Sequence, residues 1–235
     1  MWRRLADYRL FWQEFRRTFY STGAVMPSGR RLARTLAKYV GRGSDAAEPR
    51  RILEVGPGTG TVTEAIIEKM GANDTLDLVE LNDRFVTALQ QRIDNDPVWR
   101  SAAPRIRLHH QAIEEHRVER PYDVMVSGLP FNNFPGAAVR SILSHLESMA
   151  ADGATLSFFE YVAVRPVKSL ACRVAERRRL TEVGQAVDSQ RRRWGVGRDC
   201  VVGNVPPAWV HHLQFRHDDR PDATSSSEQK ATYRS

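Results

Sequence analysis

Through the middle of the chain, short apolar runs alternate with stretches whose apolar residues recur every three to four positions. The runs at 52–55, 76–81, 106–110, 123–126 and 154–160 read as strands, and two further β-like runs, 199–205 and 209–215, close the series. Between them, 61–69, 83–93, 137–149 and the long charged stretch 166–187 read as helices. Strands separated by helices of this length form βαβ units and a parallel sheet. The last two runs, joined through Pro206 and Pro207, predict an antiparallel strand inserted at one sheet edge.

Ahead of this series, 2–20 reads as a helix that ends at Ser21 to Gly23. A second helical stretch covers 30–40, and 41–49 (GRGSDAAEP) has linker composition. At 100° per residue, Leu5, Tyr8, Phe11, Trp12, Phe15 and Phe19 share an arc of about 120°. Arg9 and Arg16 flank that arc, while Asp7 and Glu14 lie opposite. Such a face either packs on the protein's own core or lies in the headgroup zone of a bilayer. Residues 218–235 are polar and aperiodic, and are expected to be a disordered tail.

Composition narrows the class. At 235 residues, with 41% hydrophobic and 27% charged content, one globular domain is the expectation. No apolar run approaches the ~18 residues that a membrane-spanning helix needs. The basic, aromatic N-terminus lacks the uninterrupted apolar core of a secretory signal. Cys172 and Cys200 stand far apart, with neither zinc-ligand nor disulfide-framework spacing, so no metal is expected and a reducing cytosol fits. The net charge of +7 is uneven. Residues 1–40 hold nine Arg and Lys against two acids, and 165–198 is a second basic stretch. That asymmetry points to a polyanion, either nucleic acid or an anionic membrane surface.

The most informative segment is Ile52-Leu53-Glu54-Val55-Gly56-Pro57-Gly58-Thr59-Gly60, a strand entering three alternate glycines before a helix. A bare GxGxG also occurs in dinucleotide-binding folds. Here Glu54 stands two residues before the first glycine, where it would repel a pyrophosphate but suit a cationic amino-acid group. Glu80 ends the next strand, where a carboxylate can accept from both hydroxyls of a ribose.

These residues resemble the class I S-adenosylmethionine (SAM)-dependent methyltransferases. The resemblance implies a doubly wound α/β, Rossmann-like fold: a seven-stranded sheet with the last-inserted strand antiparallel, here preceded by an N-terminal amphipathic helix. It implies SAM as cofactor, with Glu54, Gly56, Gly58, Thr59 and Gly60 along its methionine and ribose side. Glu80 would hold the ribose, Gln111 and Ala112 would sit at the adenine, and Leu81 and Ser127 are further cofactor-binding residues. The implied catalytic domain is 50–217, after a membrane-associating helix at 1–22 and a helical segment with linker at 23–49.

The segment after the fourth strand, Ser127-Gly128-Leu129-Pro130-Phe131-Asn132-Asn133-Phe134-Pro135, should carry the methyl acceptor. Enzymes that methylate base amines place Asn or Asp where Gly128 stands, to accept from a planar amine. That departure weakens the likeness to the rRNA adenine dimethyltransferases. Thr22-Gly23-Ala24-Val25-Met26-Pro27-Ser28, the glycine loop and Ser127-Gly128-Leu129-Pro130 together resemble the bacterial phospholipid N-methyltransferases that act on phosphatidylethanolamine. An ornithine lipid poses the same chemical problem. The resemblance implies a peripheral enzyme on the inner face of the cytoplasmic membrane, with lipid and anionic membrane as partners and RNA as the lesser alternative.

By this reading Gly128, Pro130 and Phe131 shape the acceptor channel, and Tyr161, Glu160 or a backbone carbonyl near Gly128 takes the amine proton. Arg165 and Lys168 are placed for the lipid phosphate. The Arg177–Arg179 and Arg191–Arg193 triplets are expected as solvated faces. The adjacent His211 and His212, in what reads as an edge strand, would send only one ring inward, without forming a metal site.

Overall fold

A computed structural model of the protein describes residues 29–41, 48–162, 170–202 and 206–216, with side chains in the long C-terminal helix from residue 177 onward. The expected helix at 2–20, the motif at 22–28, residues 42–47 of the linker, Arg165, Lys168 and the C-terminal tail lie outside the described residues.

The strands β1 (Arg51–Val55), β2 (Thr75–Glu80), β3 (Ile106–His110), β4 (Tyr122–Ser127), β5 (Ala150–Tyr161), β6 (Gly195–Val201) and β7 (Ala208–Gln214) form one sheet in the order β3-β2-β1-β4-β5-β7-β6. β3, β2, β1, β4 and β5 pair in parallel. β7 runs antiparallel to both its neighbours, β5 and β6. This is the class I methyltransferase fold, with the last strand in sequence inserted antiparallel.

Alternation along the central strands divides the core between the two sheet faces. On one face Leu53, Val55 and Met125 pack with α5 (Gly136–Ser148) and α6 (Leu170–Trp194) through Val139, Ile142, Leu146, Val183 and Val187. On the other, Ile52, Leu78, Val124 and Val126 meet α1 (Arg30–Leu36), α2 (Thr61–Ile67) and α3 (Asp83–Asn95) through Leu32, Leu36, Ile66 and Leu89.

The structure corrects several expectations. α3 is followed by a separate short helix, α4 (Pro97–Ala102), capped by the Asp96 side chain with Pro97 in its first turn. β5 begins four residues earlier than expected, with Ala150 paired to Tyr122 ahead of a register shift against β4. α6 runs on to Trp194, because Val183, Ala186, Val187 and Trp194 bury one stripe of it against the core. β6 accordingly starts at Gly195, and β6 rather than β7 is the sheet edge. With β7 interior, both of its histidines are buried: His211 on the α5/α6 side and His212 on the α1 side.

Candidate active site

The chain leaves β1 through Gly56 to Gly60 and enters α2. Gly56, Gly58 and Gly60 have φ of +67°, +57° and +83°, a region that disfavours any residue with a Cβ. A Cβ on Gly60 would also lie 2.6 Å from the Trp99 ring, so the turn sits directly on that indole. Arg92 from α3 covers Trp99 at 4.4 Å and donates to the Thr59 carbonyl at 3.3 Å. Glu64 and Asp96 hold Arg92 in turn, at 2.7 and 3.1 Å. Sequence reasoning missed this brace. The Asp96-Pro97 pair, a cap followed by proline, was the signal that could have revealed α4.

Two carboxylates face the loop. Glu54 is fully buried, and neither of its oxygens finds a hydrogen-bond partner among the described residues. Burial pushes its pKa up to about 8; the Thr63 hydroxyl offsets part of that, and the charge of Glu80 adds to it. Thr63 lies close enough to favour the charged form, but its Oγ1 is not aligned for a full bond. A buried carboxyl without a partner costs stability and is a mark of a functional site. Glu80 is held from two sides: Gly58 N–H donates to Oε2 at 3.1 Å and Asn82 N–H to Oε1 at 2.8 Å. Leu81 is half-buried beside it. Gln111 and Ala112 follow β3, and Gln111 N–H donates to the Glu80 carbonyl at 3.1 Å. The strand ends thus bring together Glu54, the three glycines, Thr59, Glu80, Leu81, Gln111 and Ala112.

The loop after β4 crosses the glycine loop. Gly128 N–H donates to the Val55 carbonyl at 2.8 Å, and a Cβ at Gly128 would lie 2.5 Å from the Gly56 carbonyl oxygen. Position 128 therefore has no room for any side chain on this backbone. Asn132, another residue that the sequence reading missed, ties the loop to the end of β5. Its Nδ2 donates to the Tyr161 carbonyl at 3.2 Å, and its Oδ1 accepts from Tyr161 N–H at 3.0 Å.

Other expected residues sit differently from the sequence reading. Ser127 is wholly buried, and its hydroxyl accepts from Leu129 N–H at 3.3 Å, so its side chain serves the turn. Pro130 and Phe131 are buried, and the Phe131 ring packs against Phe134 and Phe158 within the core. Tyr161 packs with Phe159 on the opposite face of the sheet from Phe131, and burial raises its pKa. Glu160, one residue earlier, bonds His211 Nε2 at 2.9 Å. His211 is 1% exposed, stacks on Phe158, and its Nδ1 has no partner among the described residues. His212 bonds Ser157 and Asp199, at 2.8 and 3.0 Å, in an enclosed structural cluster. Among the described residues there is no group of three or more ligating side chains placed for a metal.

Comparison with known proteins agrees with this fold. Residues 52–153, from β1 into β5, match a methyltransferase-domain family model. The fold is shared with an O-methyltransferase from Bacillus cereus solved in complex with S-adenosylhomocysteine (TM-score 0.58, 14% identity, 87% of this chain and 90% of that one). The chain is a SAM-dependent methyltransferase. It is 24% identical over 153 residues, 65% of its length, to an ornithine lipid N-methyltransferase of Singulisphaera acidiphila, of which the match spans 77%. It is 26% identical over 199 residues, 73% of its length, to the mitochondrial dimethyladenosine transferase 1 of Caenorhabditis elegans, of which it spans 49%.

The residues present fit the cofactor. The fit rests on the Glu54 carboxyl, buried without a hydrogen-bond partner among the described residues and so able to pair with a cation, and on a glycine turn that leaves main chain open to a ligand.

Proposed function

We propose that this methyltransferase transfers methyl groups to the amine of a membrane lipid headgroup, either phosphatidylethanolamine towards phosphatidylcholine or an ornithine lipid. The catalytic domain would be 50–217, working at the inner face of the membrane with 1–22 as the membrane-associating helix. The observation that carries this reading is the closure of position 128. A planar base amine is held by a carboxyl or amide side chain at that point, and the 2.5 Å approach to Gly56 leaves no space for one. A flexible aliphatic amine needs no coplanar acceptor and can be guided by main-chain carbonyls. The likeness of 22–28 and 127–130 to phospholipid N-methyltransferases and the similarity to an ornithine lipid enzyme point the same way.

In this account Glu54 pairs with the ammonium of the SAM methionine. Gly56, Gly58, Thr59 and Gly60 pass beneath it, and Glu80 and Leu81 take the ribose. Gln111 and Ala112 border the adenine, and the main chain at Ser127 and Gly128 borders the transfer site. SAM supplies a methyl group on a sulfonium centre. The protein must present a neutral amine lone pair in line with it and exclude water. A desolvated channel over Leu129, Pro130 and Phe131 favours the neutral amine. Tyr161 is a neutral phenol with its pKa raised, and so is no base. Glu160, hydrogen-bonded to buried His211, takes the departing proton. Arg165 and Lys168, just beyond β5 in sequence, would meet the lipid phosphate.

The test incubates the protein with methyl-labelled SAM and phosphatidylethanolamine liposomes, ornithine-lipid liposomes or bulk RNA. Label is expected in lipid. Label confined to RNA would overturn the reading in favour of adenine methylation, the activity that the dimethyladenosine transferase's name carries.

A further inference from the structure

Beside the cofactor site lies a buried polar chain that the proposed mechanism does not use. Asp77 of β2, His116 and Tyr122 of β4 are 3%, 3% and 0% exposed. Asp77 Oδ1 bonds His109 Nε2 at 2.8 Å, and Oδ2 bonds Arg51 Nη2 at 3.1 Å and the Tyr122 hydroxyl at 2.9 Å. The Tyr122 oxygen also lies 2.9 Å from His116 Nε2, and His116 Nδ1 lies 2.7 Å from Gln111 Nε2. The His116 carbonyl is fixed by His145 Nε2 at 3.0 Å.

The proton inventory of this chain has one solution. Burial works against the Asp77 charge, but hydrogen bonds from His109 and Tyr122 and the Arg51 charge outweigh it and hold its pKa below the usual value. An ionised Asp77 only accepts, so the single Tyr122 proton points to it. The Tyr122 oxygen must then accept from His116, which carries its proton on Nε2. His116 stays neutral, its pKa lowered to about 4 by burial and by the charge of His109. Nδ1 is left as a lone-pair acceptor, and only the NH2 end of Gln111 can face it. The Gln111 carbonyl oxygen is thereby turned away from His116.

We infer that Asp77, Tyr122 and His116 form a relay that locks the Gln111 amide in one orientation, so that the enzyme reads the 6-amino group of the cofactor's adenine. This inference rests on the proposed placement of Gln111 at the adenine. A glutamine alone is ambiguous, because either end of its amide can face a ligand by a half-turn. Locked as it is, Oε1 accepts from the adenine amine. A 6-oxo purine would require the opposite orientation, which sets Gln111 Oε1 against the His116 lone pair. His116 cannot relieve that clash by moving its proton to Nδ1, since Tyr122 requires the proton on Nε2. His116 and Tyr122 are therefore positioning residues for cofactor specificity.

The experiment is calorimetric titration with S-adenosylhomocysteine and with S-inosylhomocysteine, its 6-oxo analogue, on the wild-type chain, Tyr122→Phe, His116→Leu and Gln111→Ala. The wild type is expected to favour the adenine ligand by about a hundredfold, the discrimination of a site whose polar groups would otherwise be left mismatched. Tyr122→Phe removes one oxygen and frees the His116 tautomer. His116→Leu removes the acceptor. In each, the ratio should fall to about threefold or less, mainly through tighter binding of the 6-oxo ligand. A merely structural role would weaken both ligands alike and keep the ratio. An unchanged ratio in either variant that still binds S-adenosylhomocysteine overturns the relay, and Tyr122→Phe keeps that test open should His116→Leu fail to fold. A Gln111→Ala chain that keeps the wild-type ratio would instead overturn the placement of Gln111. No binding by the wild type would overturn the cofactor-site reading as a whole.

Discussion

At the scale of single residues the site is organised by groups whose surroundings conflict with their chemistry. Glu54 is the clearest case. Its carboxyl titrates at about 8 in the folded chain against 4.5 in the open chain, so between those values unfolding releases a proton that the fold retains. Stability contributed by this residue falls as pH rises through that window. Glu54→Gln should therefore lose less of its thermal midpoint than the wild type between pH 5 and pH 8. The same variant should bind SAM about ten- to a hundredfold more weakly, as expected on losing a charge-assisted bond. Gly128 conflicts sterically rather than electrostatically. Gly128→Asn restores the side chain that base-methylating enzymes use, yet it must displace the Gly56 carbonyl. Activity on lipid should drop at least tenfold in a labelled-SAM assay, with no activity gained on RNA. The places of Glu54, Glu80 and Gly128 were legible in the sequence, because Glu54 precedes the glycine turn and the other two stand at the ends of apolar strand runs. The burial of Ser127 and Phe131 was not, since the turn after β4 decides which way those side chains point.

At the scale of elements, the two loops of the site are held by parts that carry no signature of their own. Asn132 joins the loop after β4 to the end of β5 through two hydrogen bonds to Tyr161. Asn132→Ala should lower kcat while leaving the SAM dissociation constant within about twofold, because the glycine loop does not depend on that tie. Trp99 supports the other loop from α4. Trp99→Ala removes a fully buried indole beneath Gly60 and should cost about 3–5 kcal/mol in urea unfolding, with cofactor affinity falling too. The strand-helix alternation was readable because period-2 and period-3.6 patterns differ along the sequence. Strand order at the sheet's end was harder. β7 looks like an edge strand from its paired histidines, and it becomes interior with Glu160 and Asp199 each bonding the Nε2 of one ring.

At the scale of the whole molecule, charge and titration act together. His116, His145 and His212 all have pKa values lowered chiefly by burial, so the fold keeps them neutral at pH values where the unfolded chain is already protonated. That stability is present above the usual histidine value and is lost as pH falls below it, while Glu54 works in the opposite direction above 4.5. Thermal midpoints should form a dome with its maximum near about pH 6. Among the described residues no helix is long and apolar enough to cross a membrane. Membrane attachment in this account rests on the basic, aromatic N-terminal segment. Sedimentation with anionic vesicles should weaken both on deleting residues 1–20 and on raising salt from 0.1 to about 0.5 M, as surface charge is screened. The proposed function depends on Glu54 giving up its proton to pair with the cationic end of SAM. Calorimetric titration with SAM at pH 6.5, in two buffers of different ionisation enthalpy, measures that directly. Close to one proton should be released per SAM bound, and none by Glu54→Gln; binding by the wild type without proton release would contradict the claim.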